Sequence, residues 1–205
     1  MDSLKDEVIS NPKRVGFRMT KIEIDPGGSP FPKPVVLVGS IIAGRPNFFT
    51  VAWFNRMSRN PNIWGSAVGK TKHTLQGIRE NNTFSVNFPS ADLVVETDYC
   101  GIRSGKDVDK SKLFDVFYGE LETAPMIREC PVTAECTLTE LIDMSTHYLL
   151  LGEVKHLYTE EKFMTDGVLD QKKLNLLIFT NPARQYWTLG DVVADAYSIG
   201  KKLDS

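Results

Sequence analysis

The sequence predicts a mainly β fold, an antiparallel β-barrel with peripheral helices. Two apolar runs rich in β-branched and aromatic residues, 35–42 and 48–54, flank a turn and read as a hairpin. Residues 132–139 alternate apolar with polar, the pattern of a half-buried antiparallel strand. Strand-like runs outnumber helical ones and do not alternate with them, which argues against a βαβ nucleotide fold. Neither a Gly-x-Gly-x-x-Gly nor a P-loop is present.

The elements follow in order. Residues 1–20 read as a polar arm, and the Pro/Gly-rich stretch 25–34 completes a lead-in spanning 1–33. A single domain, 34–205, follows. After the first hairpin, 62–68 is a strand ended by Gly69. A helix comes next, with Leu75 and Ile78 on its apolar side and residues 80–82 at its end. Residues 83–88 place Phe84, Val86 and Phe88 on one face until Pro89 stops the strand. Residues 90–99 suit a short helix capped by Ser90, and 101–112 form a polar loop. Further strands are expected at 148–158 and 174–179, and a closing helix at 191–202.

Composition bounds the function. With 41% hydrophobic and 24% charged residues, 205 residues suit one globular domain with a real core. A formal net charge of -2 lacks the basic footprint of a nucleic-acid binder. No apolar stretch approaches the ~18 residues of a membrane span, and the first residues lack the apolar core of a signal peptide. A cytoplasmic protein is expected. Cys100, Cys130 and Cys136 form no Cys-x-x-Cys pair, and Cys136 sits on the apolar side of its strand, as a buried free thiol would. No group at metal-ligand spacing is evident.

The start of the first helix is anomalous. A helix N-terminus exposes unpaired N–H groups and the positive end of the dipole, and so favours acidic residues. This one carries Lys70, Lys72 and His73, with hydroxyls at Thr71 and Thr74. A bound phosphate would gather all of these groups, whereas the alternative is a pair of solvated lysines beside a Thr cap. Other residues are open to two readings as well. Asn87 can pair with the polar edge of a planar ring or cap its own chain. Asn47 is a ligand or a turn residue. Trp53 covers a flat cofactor or fills core. Lys110, in a loop where Gly105 permits close approach, neutralises an anion or is solvated.

Together these segments resemble the flavin-reductase-like proteins of the FMN-binding split barrel, and within them the flavoredoxin group. The marks are Pro34-Val-Val-Leu-Val, Asn47-x-x-Thr50-Val-Ala-Trp53, Thr74, Phe84-Ser-Val-Asn-Phe-Pro89, Cys100-Gly-x-x-Ser-Gly-Lys-Asp-Val-Asp-Lys110 and Leu151-Gly-Glu-Val154. The resemblance implies an FMN-dependent oxidoreductase, a homodimer with non-covalent FMN near the subunit interface. It assigns Asn47, Thr50, Val51, Ala52 and Trp53 to the flavin, Ser66, Val68, Lys70, His73 and Thr74 to the phosphate, and Asn87 to the ring or ribityl chain. The loop from Ser104 to Lys110 would lie over the cofactor, with Lys110 raising the flavin's potential. His147, Phe179 and Tyr186 would be second-subunit contacts. No side chain need be a covalent catalyst. Two departures stand out: Gly39-Ser40 replaces the usual Thr-Thr, and His73 replaces an arginine or lysine.

Within this reading NAD(P)H and a redox protein partner are both candidate donors. The competing functions are an electron carrier, a pyridoxamine-phosphate-oxidase-like enzyme and a non-catalytic FMN-binding or sensory module.

Overall fold

The computed structural model describes residues 21–203, and the arm expected at 1–20 lies outside them. Chain order is β1 (Lys33–Pro34), β2 (Val36–Ile42), β3 (Arg45–Val51), β4 (Phe54–Ser58), β5 (Ile63–Gly69), α1 (Thr74–Asn81), β6 (Thr83–Phe88) and α2 (Val94–Ile102). It continues through β7 (Val116–Phe117), β8 (Met126–Ile127), β9 (Val132–Met144), β10 (His147–Thr159), β11 (Met164–Thr165), β12 (Val168–Leu169), α3 (Gln171–Leu174), β13 (Ile178–Thr180) and β14 (Gln185–Trp187). A seven-stranded sheet in the order β3-β2-β6-β9-β10-β5-β4 has antiparallel pairings throughout. Its two edge strands, β3 and β4, are consecutive in the chain and joined only by Ala52 and Trp53. Ala67 N–H donates to the Trp53 carbonyl at 2.9 Å. Edges joined so tightly oblige the sheet to curl upon itself, giving the mostly antiparallel barrel expected.

The continuous apolar character of β2 has a direct cause. Val36 and Val38 face the barrel interior with Phe49, Val68, Leu75, Ile78, Phe84 and Leu150. Leu37 points the other way, into a second cluster with Phe48, Cys100, Phe114 and Ile127. A strand covered on both faces cannot alternate. On α1, Leu75 and Ile78 are buried as their spacing predicts, and Asn82 closes the helix in the left-handed region at φ 56°. Gly77 lets that helix approach β2, since a Cβ there would lie 2.2 Å from the Ile41 carbonyl oxygen.

Four expectations need correction. Thr133 and Glu135, on the expected wet face of β9, are buried at 2% and 0% exposure. Ser90 makes no capping bond. A 3-10 turn, Ala91–Leu93, separates it from α2, and Ser90 bridges to Leu176 instead. The strand expected at 174–179 is confined to Ile178–Thr180, because Asp170 caps α3 by accepting from Lys172 N and Lys173 N at 2.9 and 3.2 Å. The closing helix shrinks to a 3-10 turn, Ile199–Leu203. Tyr197 sits at φ 63° and Val193 is 98% exposed, so nothing supports an amphipathic face there. All three cysteines are buried and free. Burial raises the Cys100 thiol to about 11.

Candidate functional site

β3 and α1 meet where Asn47 Nδ2 donates to Thr74 Oγ1 at 2.7 Å. Asn47 is 7% and Thr74 1% exposed. Accepting from Asn47 leaves the Thr74 hydroxyl proton free to donate. Both residues line a polar cleft of about 200 Å³, together with Thr71, Lys72, His73 and Ser104. No side chain caps the start of α1, and its first turn holds no acidic residue. Lys106 and His73 carry the wall into the adjoining clefts, with Lys106 as a further cation. Gly105 closes the far side, where a Cβ would stand 2.1 Å from Asn47 Oδ1. Leu75 N and Gln76 N donate to the Lys72 and His73 carbonyls at 3.1 and 3.0 Å, which leaves the His73 and Thr74 N–H groups, the Lys72 ammonium and a donating hydroxyl as the groups that fit a phosphate.

Several assigned residues do other work. The Lys70 ammonium is held by both Asp143 carboxylate oxygens, at 2.6 and 2.7 Å, and lies over the Tyr148 ring. Lys72 takes its place in the cleft, with its Nζ donating to the Gly101 carbonyl at 3.3 Å, and Lys106 lines the adjoining one. Asn87 is fully buried and spent internally: its Nδ2 donates to Leu37 O and Ser85 Oγ, and its Oδ1 accepts from Ile127 N. Lys110 is 2% exposed, and its Nζ donates to Phe48 O at 2.9 Å and Cys100 O at 2.8 Å. It staples the 104–110 loop to β3 and α2, so its ammonium is spent on two carbonyls although the residue also lines the polar cleft. Val51 and Val68 are core. Ser66, on the Val68 face of β5, is buried with an unpartnered hydroxyl. The Thr50 hydroxyl bonds the Thr97 carbonyl of α2.

Ala52 and Trp53 open onto a second cleft, about 490 Å³ and mostly apolar, beside β1. Trp53 is half exposed, and its ring lies 5.0 Å from that of His147 in the same chain. Phe179 and Tyr186 belong to the β1-β13-β14 sheet, where their rings pack at 5.8 Å and Tyr186 donates to Asp98. β3 thus connects the polar cleft at Asn47 to the apolar cleft at Ala52. Lys33 and Lys106 escaped the reading of the sequence. One lay in a proline-rich lead-in and the other in a polar loop, with no periodicity to single out either.

An antiparallel sheet closed through its own edges, with an anion-fitting cleft at its first helix, defines a split-barrel protein. The flavin reductase like domain model matches residues 28–180, and the chain belongs to that family. It is 44% identical to flavoredoxin from Methanosarcina acetivorans, covering 90% of this chain and 99% of that one, with a TM-score of 0.87. The flavoredoxin of Desulfovibrio vulgaris (Miyazaki F) is 30% identical, with coverage of 88% and 100% and a TM-score of 0.81. A split-barrel protein from Shewanella frigidimarina shares the fold at 18% identity and a TM-score of 0.73, over 82% of this chain and 87% of its own.

Proposed function

We propose that the protein is an FMN-dependent oxidoreductase passing electrons from NAD(P)H or a protein donor to flavin or another acceptor. The observation that carries this reading is the uncapped, cation-lined start of α1, where Asn47 orients the Thr74 hydroxyl. Thr74, Lys72 and His73 would hold the phosphate. The backbone of residues 50–53 would border the ring, and Trp53 against His147 would limit access to it. Bound FMN supplies the redox chemistry, and the chain supplies binding, orientation and exclusion of water. The exposed side chains of Met144 and Trp187, outside the Trp53 cleft, suit burial in a homodimer with FMN near its interface. Three buried free thiols suit a reducing cytoplasm. Among the described residues no helix is long and apolar enough to cross a membrane.

A second reading, an electron carrier, is favoured by the likeness to two flavoredoxins. An anaerobic visible spectrum with NADH or NADPH separates the two. Bleaching of a flavin spectrum by nicotinamide marks a reductase. A spectrum that persists until dithionite is added marks a carrier or a sensory module. Failure to take up FMN at all overturns the proposal.

Two variants test the phosphate cradle. Thr74→Ala with Lys72→Met weakens FMN binding by about 1–3 kcal/mol, the loss of charge-assisted bonds, in a flavin fluorescence titration. Unchanged affinity in the folded double variant removes the phosphate assignment. Gly105→Ala forces the loop off Asn47 and lowers affinity about tenfold, or ~1.4 kcal/mol. Its thermal midpoint should fall by only a few degrees, because the Lys110 bonds to the Phe48 and Cys100 carbonyls still anchor the end of the loop. A variant that binds FMN normally shows that the loop does not border the ligand.

A further inference from the structure

The apolar cleft beside Trp53 contains a charge without a partner. Lys33 is 5% exposed and its Nζ makes no hydrogen bond. Its one neighbour of note is the Phe31 ring, 5.2 Å away. The Ser29 hydroxyl, also on the cleft wall, is buried without a partner. Pairing of Lys33 with Phe179 across β1 and β13 fixes the backbone from which the ammonium projects. The remaining walls, from Pro34, Ala52, Trp53, Phe54 and Met57, are largely apolar.

Burying an ammonium without an anion or hydrogen-bond acceptor is costly, and a bound anion that pairs with it would remove that cost. Aromatic and aliphatic walls suit a flat, apolar body. From this geometry we infer that the cleft is a binding site for a small planar carboxylate. Lys33 and Ser29 receive its carboxylate group, while Trp53 and Phe54 flank its body. Ala52 and Trp53 belong both to this cleft and to the segment that would border the flavin ring. As a statement of what sits beside that ring, the inference rests on the FMN reading.

Isothermal titration of the full chain, with and without FMN, tests it using benzoate and its neutral isostere benzamide. Benzoate binds roughly 10- to 100-fold more tightly than benzamide, the range of a charge-assisted bond. The preference disappears in Lys33→Met and survives in Lys33→Arg. Lys33→Met also melts a few degrees higher than the parent, since it removes an unpaired buried charge. Equal affinity for the two probes, a preference that persists in Lys33→Met, or no binding of benzoate overturns the inference. So does a cleft sealed by a second copy of the chain, seen as benzoate binding only to dissociated protein. FMN uptake is read separately by visible absorbance. Lost uptake with a Lys33-dependent benzoate preference sinks the proposed function and leaves the site standing, and the converse result does the reverse.

Discussion

Lys110→Ala lowers folding stability by about 2–4 kcal/mol, measured as the shift of a urea unfolding curve. The lysine is buried, and its ammonium satisfies the Phe48 and Cys100 carbonyls. Each carbonyl left unpaired costs about 1–3 kcal/mol, partly offset because a buried charge disappears with it. Lys110→Met retains most of the packing but neither bond, and it keeps most of the loss. The pH dependence has a definite sign. Burial, the largest influence, holds the Lys110 ammonium below its usual 10.5. Between that lowered value and 10.5 the unfolded chain binds more protons than the folded one. Stability attributable to Lys110 therefore rises with pH through this interval, and the difference between parent and Lys110→Met isolates it. Unaltered stability with a shifted flavin potential would restore Lys110 as a charge acting on the cofactor.

Glu135→Ala has a larger expected cost, about 3–5 kcal/mol. This fully buried carboxylate accepts from the N–H groups of Gly119, Glu120 and Leu121 at 3.1, 3.0 and 2.9 Å, and from the Tyr158 hydroxyl at 3.0 Å. Its removal orphans four donors at once and frees the 119–121 turn from the barrel. Glu135→Gln keeps one acceptor oxygen and loses roughly half as much. Amide exchange at 119–121 should accelerate in both variants before global unfolding. A loss below about 1 kcal/mol in Glu135→Ala would mean that water replaces the carboxylate.

Glu135 also marks the limit of pattern reading. The alternation along 132–139 placed a strand correctly, yet the first half of its polar face, Thr133 and Glu135, is as dry as its apolar one, and only Thr137 and Thr139 open toward solvent. Period-two spacing reports which side chains share a face, not what covers that face. The same limit applies at the site. The excess of cations at the start of α1 was legible because dipole and charge are local properties of the chain. Which cations face the cleft was not. Lys70 turns to Asp143, 73 residues away, while Lys72 lines the cleft and donates to the Gly101 carbonyl at its edge.

The sequence by itself determined the antiparallel strands, the α1 position, the fold class and the motif series of the flavin reductase like family. Each depends on spacing over a few residues. Only the tertiary structure decided that Asn87 and Lys110 are internal braces, that Ser66 and Val68 face the core, and that Lys33 stands unpaired beside Trp53. The partners of Asn87 and Lys110 lie up to 62 residues from them. A polar side chain's role is set by whichever donor or acceptor the closed barrel brings within 3 Å, and no local pattern encodes that meeting.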